Sequence, residues 1–269
     1  MTNSNKYIIV HCQHRSGSTA LLNTLGQLSG VRVIPEEVNL VERDFVRNTL
    51  WRYAKNQWHD PTQIHGSIWS SEGVFYNNTH ELITELRNFP SKDLGDFARV
   101  VLDRLADLFF GKGEVQANNL SVACKYLVHV GFSDQLINFF PSACHIILVR
   151  DLRSVYLSKI NDPEMRALRR SSLIKYFIKR LAILVFFSLD YRTLVKLATS
   201  AASRLNCHVV RYSKMKYDLT TVAANIGLDF NGVKSISEGK ASSKLERLSK
   251  PNWVELLLLR VLGGCSNFD

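Results

Sequence analysis

Hydrophobic and polar positions alternate most clearly at the start of the chain. An apolar run, Tyr7–Val10, is followed by the polar segment Gln13–Arg15, and apolar residues then recur at spacings of three and four between Leu21 and Leu28. A short run of β-branched residues predicts a buried strand, whereas the later spacing predicts one face of a helix. Serine and threonine, which favour helix starts, are frequent in the segment Ser16–Thr19. The pattern therefore predicts a strand, a tight loop and a helix.

The two patterns alternate through the rest of the chain. Strands are predicted at 31–34, 121–126, 145–149 and 207–212. Helices are predicted at 93–111, 134–140, 164–205, 219–226 and 253–262, and another helix begins after Asp151, whose side chain suits an N-cap. Strands that alternate with helices form parallel sheets. The sequence therefore predicts a single α/β domain over residues 1–269, in three layers, with a central parallel sheet flanked by helices.

The balance of charge narrows the choice of partners. The net charge is +10 at pH 7, which favours an anionic partner such as a nucleotide, a nucleic acid, an acidic polymer or a membrane surface. Basic residues also lie among apolar ones at 164–205. We interpret that region as a solvated helix face that covers a core. The alternative is a dock for an acidic acceptor, or a peripheral contact with a membrane.

Cysteine usage and apolar runs indicate the compartment. The five cysteines form no CxxC pair, and four of them lie in or beside apolar runs, which is typical of small core residues rather than of disulfides or zinc ligands. The N-terminal residues carry no long apolar signal. The longest internal apolar run, Leu181–Leu189, is too short to span a bilayer. A reducing, cytoplasmic setting is therefore predicted.

The loop after the first strand has the chemistry of an anion site. The first N–H groups of a helix have no partners inside the helix, and the helix dipole favours negative charge there. A nucleotide-hydrolysing loop would read GxxxxGK[ST], but the segment His14–Gly17 before Ser18 lacks the first glycine and the lysine. The strand at 145–149 ends at Arg150 and not at a carboxylate. The sequence therefore predicts phosphate binding without the usual parts of ATP–Mg²⁺ chemistry.

Two segments resemble those of PAPS-dependent sulfotransferases, in particular the bacterial and carbohydrate-type members. PAPS is 3′-phosphoadenosine 5′-phosphosulfate. Arg15–Thr19 after an apolar strand resembles the loop that binds the 5′-phosphosulfate, and Ile146–Val155 with Ser158 is similar to the 3′-phosphate segment. Leu152 replaces the usual proline of that segment. Val209–Tyr212 resembles a later strand of the family.

The resemblance implies a P-loop-NTPase-like sulfotransferase fold, and it gives roles to particular residues. The loop residues that would hold the 5′-phosphate are Ser16, Gly17, Ser18 and Thr19. Arg15 would neutralise charge on the leaving oxygen, and Arg150 with Ser158 would hold the 3′-phosphate. Tyr212 would also belong to the donor site. Lys125 resembles a lysine that faces the sulfuryl group or the acceptor. PAPS would be the co-substrate and PAP, its desulfated form, the product; no metal is implied.

The general base is less sharply defined than the donor site. The resemblance implies a glutamate just after the second strand, which falls on Glu36, and its neighbour Glu37 stays open. Another branch of the family uses a histidine instead. The histidines that stay open for this role are His65, His80 and His129.

Lys240 and its basic neighbours are expected to close over the 3′-phosphate.

The acceptor is expected to be a carbohydrate hydroxyl, because the glutamate placement and the aromatic-rich segment 51–76 suit sugars. A lipid, a small-molecule alcohol and a peptide tyrosine stay open as acceptors, as does the oligomeric state.

Two other classes of protein compete with the sulfotransferase interpretation. A P-loop kinase or NTPase would need the missing lysine and a magnesium carboxylate. A non-enzymatic binder of nucleic acid or of a membrane surface leaves the two phosphate motifs unexplained, so no nucleic-acid partner is expected.

Overall fold

The structure is a computed structural model, and it describes most of the chain. The described ranges are 7–37, 94–128 and 133–230, with positions 233, 251, 255, 257–259 and 261. The strands are β1 (Tyr7–Cys12), β2 (Val31–Glu37), β3 (Ser121–Leu127), β4 (Cys144–Val149) and β5 (Cys207–Arg211). The helices are α1 (Ser18–Leu25), α2 (Leu94–Phe110), α3 (Glu114–Ala117), α4 (Ser133–Phe139), α5 (Leu152–Ile160), α6 (Pro163–Ser171), α7 (Leu173–Ala201) and α8 (Met215–Asn225), with a short 3₁₀ turn at Tyr212–Lys214.

The five strands form one parallel sheet in the order β2-β3-β1-β4-β5. The central strand is β1, in which Ile9 is opposite Cys124 on one side and His145 on the other. Every residue of β1 and β4 is buried, as expected for parallel strands that are covered on both faces. The carboxyl ends of β1, β4 and β5 therefore meet at one edge of the sheet.

Helices cover both faces of the sheet, which confirms the predicted α/β fold in three layers. On one face, Ile8 and Val10 pack with residues of α1 and α8. On the other face, Ile9 and Tyr126 pack with α2 and α4, while Ile147 packs with α5 and α7. The alternation of neighbouring strand residues between the two faces follows from the two-residue period of a strand.

Several predicted boundaries are wrong. The strand predicted at 31–34 extends to Glu37 and includes Pro35, and its register with β3 shifts between Val33 and Glu37. An edge strand tolerates a proline and an irregular register, because one side of it makes no ladder hydrogen bonds. The strand predicted at 121–126 continues to Leu127, and Lys125 lies inside it.

The long helix predicted at 164–205 is two helices in the structure. α6 ends at Ser171, and the Ser172 side chain accepts a hydrogen bond from the Lys175 N–H at the start of α7. Serine is a favoured N-cap because its side chain satisfies an N–H group that has no partner within the helix. Asp151 caps α5 as predicted, accepting from the Ser154 N–H at 2.8 Å.

The described cysteines are core residues, as the sequence predicted. Cys12, Cys124, Cys144 and Cys207 are buried free thiols. Burial raises the pKa of Cys124 to about 12, with a smaller contribution from Cys12, so that thiol stays protonated. Among the described helices, none combines the length and the apolar character that crossing a membrane requires.

Two neutral histidines lie side by side in the sheet interior. Nε2 of His11 in β1 is 2.9 Å from Nδ1 of His145 in β4. Nε2 of His145 is 2.8 Å from the carbonyl oxygen of Phe140 and must donate to it, so Nδ1 of His145 accepts a hydrogen bond from the Nε2–H of His11. Burial lowers the pKa of His145 to about 4. Burial, followed by the proximity of His145, holds the pKa of His11 well below its ordinary value.

These histidines should make the fold sensitive to acid. The ordinary histidine pKa is 6.5, and that of folded His145 is about 4. Between these values the unfolded chain binds protons that the folded chain excludes, so stability should fall as pH falls. The slope should approach about 1.4 kcal/mol per pH unit for each histidine. Urea unfolding at a series of pH values measures it.

A double substitution, His11→Leu with His145→Gln, should flatten this slope while lowering stability at neutral pH. Thr24→Val is the control, because it alters a buried polar side chain that does not titrate, and it should leave the slope unchanged. An unaltered slope in the double variant would show that other groups cause the acid sensitivity.

Candidate functional site

The loop between β1 and α1 has an unusual backbone. Arg15 and Gly17 both have positive φ, at 63° and 94°. The Ser16 N–H donates to the carbonyl oxygen of Gln13 at 3.2 Å, which closes the turn. Gly17 is the N-cap of α1 and no side chain caps the helix. The first N–H groups of α1 are therefore directed to whatever lies in front of the loop, which suits an anion.

The side chain of Ser16 supports this interpretation. Its hydroxyl is fully buried and makes no hydrogen bond to any residue that the structure describes. A buried polar group without a partner costs free energy, so such groups in native proteins usually have one. An anion held by the loop would accept the hydroxyl hydrogen. The residues of the loop therefore fit a bound phosphate or sulfate group.

Arg150 and Tyr212 contact this loop from the ends of two other strands. One terminal nitrogen of Arg150 donates to the carbonyl oxygen of Arg15 at 3.0 Å. The guanidinium carbon of Arg150 lies 4.3 Å from the centre of the Tyr212 ring. The ring in turn fills the space in front of Gly17, where an added Cβ would lie only 2.2 Å from a ring carbon. The loop, β4 and β5 thus form one cluster that carries two arginines.

The Arg15 side chain is directed to α6. Its guanidinium is 3.4 Å from Asp162 Oδ2, and 44% of the side chain is exposed. Lys159 donates to the same carboxylate oxygen at 2.7 Å, and the Met165 N–H donates to the other at 2.9 Å. Burial alone would raise the pKa of Asp162, but the hydrogen bonds and the charges of Lys159 and Arg15 lower it overall. Asp162 is therefore an ionised partner for both cations.

Asp162 is a site residue that the sequence analysis missed. Its signal is present, because an aspartate followed by Pro163 and Glu164 is typical of a helix start. That signal predicts only the cap that the structure shows at α6. Contact with Arg15 depends on the position of α6 beside the loop. Gln13 was missed likewise: its side-chain nitrogen donates to the carbonyl oxygen of Phe187 in α7 at 2.7 Å.

The other predicted residues lie on elements around the loop. Ser18 is buried and Thr19 is exposed in the first turn of α1, while Ser158 is half-buried in α5, one residue before Lys159. Lys125 is buried in β3, opposite Val10 of β1. Since Ala123, two residues earlier, packs on the α1 face of the sheet, the Lys125 side chain belongs to that face.

The candidates for the base are only partly described. Glu36 and Glu37 belong to β2, and the backbone of Glu37 pairs with that of Lys125 beyond the register shift. The described residues include neither of their side chains. Three histidine candidates lie wholly outside the described residues: His65, His80 and His129. Lys240, which is expected to close over the 3′-phosphate and not to act as the base, also lies outside them. Among the described residues, no group of three or more His, Cys, Asp or Glu side chains has the arrangement of a metal site.

The chain is similar to a known protein family and to a solved structure. The profile of the Sulfotransferase family matches residues 8–234, which include the loop, Arg150 and Tyr212. A solved structure, the sulfotransferase domain from the curacin biosynthetic pathway, is 15% identical with a TM-score of 0.48, over 92% of this chain and 85% of that one. None of the curated proteins matches the chain.

Replacing Gly17 with alanine should damage both the loop and its anion binding. The left-handed φ costs roughly 1–2 kcal/mol for alanine, and the new Cβ would overlap the Tyr212 ring. We expect binding of inorganic pyrophosphate, measured by calorimetry, to weaken about tenfold or more, since about 1.4 kcal/mol is a factor of ten.

Gly30→Ala provides a matched control. Gly30 has a φ of 82°, but nothing lies within 4 Å of an added Cβ there. In urea unfolding, the Gly30→Ala protein should lose about as much stability as the Gly17→Ala protein. Its binding of pyrophosphate should be unchanged. Equal binding by the Gly17→Ala and Gly30→Ala proteins would contradict the role of the loop.

Proposed function

Since the chain belongs to the sulfotransferase family, whose members transfer sulfuryl groups, we propose that it moves a sulfuryl group from PAPS to an acceptor hydroxyl. The choice of PAPS as the donor rests on the contact of Arg150 and Tyr212 with the Arg15–Gly17 loop. PAPS carries anionic groups at two ends of one nucleoside. A loop that suits one anion, with a second arginine beside it, suits such a ligand.

In this proposal the loop binds the 5′-phosphate. The first N–H groups of α1 and the hydroxyls of Ser16, Ser18 and Thr19 donate to its oxygens. The buried Ser16 hydroxyl supports this assignment, because phosphate would supply the acceptor that the described residues do not. Gly17 allows the turn, since its φ of 94° strains any other residue.

Arg150 and Ser158 would bind the 3′-phosphate. Arg150 follows the last residue of β4, and Ser158 lies two turns into the helix after it, so both belong to one strand–helix unit. Tyr212 would act through Arg150 and Gly17. Its ring lies against the guanidinium and against the loop, and it would hold both in place for the donor.

The transfer would proceed by in-line displacement. The acceptor oxygen forms a bond to sulfur while the bond between sulfur and the 5′-phosphate oxygen breaks, and PAP leaves with the electron pair. Arg15 would stabilise the charge that develops on the leaving oxygen. Arginine stays protonated in proteins, so Arg15 would act by charge and hydrogen bonding alone. Lys125 would add positive charge near the sulfuryl group.

Glu36 is our proposed base for the acceptor proton, with Glu37 as the alternative. Support comes from the backbone, because the irregular part of β2 that contains Glu36 leads to the pairing of Glu37 with Lys125.

A carbohydrate is our first choice of acceptor, and an acceptor screen with labelled PAPS would separate it from lipids, small alcohols and peptide tyrosines. The buried free cysteines suit a reducing compartment, for which we propose the cytoplasm.

PAP binding tests the donor assignment. We expect calorimetry to show tight binding of PAP without any metal, and no comparable binding of ATP–Mg²⁺. Arg15→Ala and Arg150→Ala should each weaken PAP binding about tenfold or more, because a hydrogen bond to a charged group contributes about 1.5–3 kcal/mol.

Arg32→Ala is the matched control for the arginine variants. Arg32 is exposed near the start of β2, at the amino ends of the parallel strands and away from the loop, so PAP binding should stay within about twofold of the unaltered protein. Absence of PAP binding in the unaltered protein would refute the proposal, and tight ATP–Mg²⁺ binding would favour a kinase or NTPase.

Comparing two single substitutions, Glu36→Gln and Glu37→Gln, can identify the general base. Glu36→Gln should lower kcat by about 10²–10⁴, the usual contribution of general base catalysis, while PAP binding is retained. A base must be deprotonated, so the rate of the unaltered enzyme should rise with pH through the pKa of this carboxyl. That rise should disappear in Glu36→Gln.

Glu37→Gln is the control and should keep both the rate and its pH dependence. The reverse result would assign the base to Glu37. Full activity in both variants would exclude a glutamate base at these positions and favour a histidine.

A further inference from the structure

Between Leu173 and Leu189, α7 exposes a row of large apolar side chains. Of the twelve exposed large hydrophobic residues in the described chain, eight lie here, with exposures from 40% at Val185 to 75% at Ile174. These eight residues, called the outer face of α7 below, are Leu173, Ile174, Phe177, Ile178, Leu181, Val185, Phe186 and Leu189. Exposed apolar groups of this extent usually mark a surface that binds something.

The outer face is not needed to hold α7 in the fold. A second set of apolar residues on the same helix, including Tyr176, Leu184, Phe187 and Leu194, is buried against α5 and the sheet. An ordinary surface helix is apolar on one face only. α7 is apolar on two faces, and no described helix, α7 included, has the length and apolar character to cross a bilayer.

Positive charge lies at both ends of the outer face. Before it, α6 exposes Arg166, Arg169 and Arg170. After it, Arg192 and Lys196 are exposed three and seven residues beyond Leu189, which places them on the same side of the helix. Lysine and arginine beside an apolar helix face suit an interface that is both apolar and anionic.

We propose that the outer face of α7 docks onto the surface of an anionic lipid bilayer. The apolar side chains would enter the boundary between headgroups and acyl chains, and the flanking cations would pair with anionic headgroups. A second copy of the chain is a poorer partner for this surface. The only acidic residue in α7 is Asp190, so a symmetric pair of these helices would bring several cations together with a single acidic residue from each copy.

The helix that carries the outer face also contacts the loop between β1 and α1. Gln13, two residues before Arg15, donates to the backbone carbonyl of Phe187, whose neighbour Phe186 is part of the outer face. Lys179 in α7 also forms an ion pair with Glu164 of α6, the helix that Asp162 caps. Docking would therefore bring the candidate active site to the membrane. Binding to the bilayer does not depend on the proposed activity.

Vesicle flotation with the full chain tests the docking. Vesicles of equal parts phosphatidylcholine and phosphatidylglycerol should carry the protein, whereas vesicles of phosphatidylcholine alone should carry little, and added salt should release it. The double variant Ile178→Glu with Phe186→Glu should reduce the bound protein about tenfold or more, because charged side chains cannot enter the apolar boundary. Arg166→Gln with Arg170→Gln should weaken binding to the anionic vesicles.

Tyr217→Glu is the matched control. Tyr217 is 73% exposed on α8, which packs on the opposite face of the sheet, so flotation should not change. PAP binding, measured by calorimetry, should be the same in all these proteins and would show that the variants fold. If the unaltered protein does not bind PAP, the proposed function is contradicted, but the docking proposal is not affected.

Two results would overturn the docking. One is failure of the unaltered protein to float with the anionic vesicles. The other is equal flotation of the unaltered protein and the Ile178→Glu, Phe186→Glu variant. Sedimentation equilibrium adds a third outcome: a dimer that this variant dissociates, without vesicle binding, would make the outer face an interface between copies.

Discussion

The hydrogen bond from Arg150 to the carbonyl oxygen of Arg15 joins the ends of two neighbouring strands at the candidate active site. It depends on the parallel pairing of β1 with β4, which brings their carboxyl ends to one edge. It also fixes the guanidinium over the ring of Tyr212, and the ring covers Gly17. The same contacts therefore fix both the shape of the loop and the position of the Arg150 guanidinium. This coupling explains how residues 135 positions apart can form one cluster at the candidate active site.

α7 connects this site to the rest of the molecule. Its buried Arg180 donates to the hydroxyl oxygens of Tyr156 and Tyr176 at 3.0 and 3.1 Å, and it forms an ion pair with Glu255 near the end of the chain. Tyr156 also donates to Glu255 at 2.7 Å. A buried arginine is tolerated only when its donors have partners, and these contacts give each of its three nitrogens a hydrogen bond. Because Tyr156 belongs to α5, the same network holds the helix that carries Ser158.

Local sequence patterns were sufficient for much of the fold, and the exceptions have physical causes. The β1–loop–α1 unit follows from an apolar run, a small-residue loop and helical spacing. The end of β2 was missed because Pro35 is usually a strand breaker, and only the sheet edge and its irregular register make it acceptable. The division at Ser172 was missed because the apolar and basic pattern continues across it, although the serine cap was visible. Family motifs pointed to Arg15, Arg150 and Tyr212, and the structure shows that these residues meet.

The sequence by itself determined the strands, most of the helices and the loop between β1 and α1, because each depends on periodicity and on residues adjacent in the chain. Only the tertiary structure decided that Asp162 pairs with Arg15, that the Ser16 hydroxyl is buried without a described partner, and that the Tyr212 ring lies on Gly17. These facts depend on the order and register of strands and on helix packing, which spacing does not specify. The same holds for α7. The pattern predicts a helix rich in apolar residues, and only packing decides which of them remain exposed.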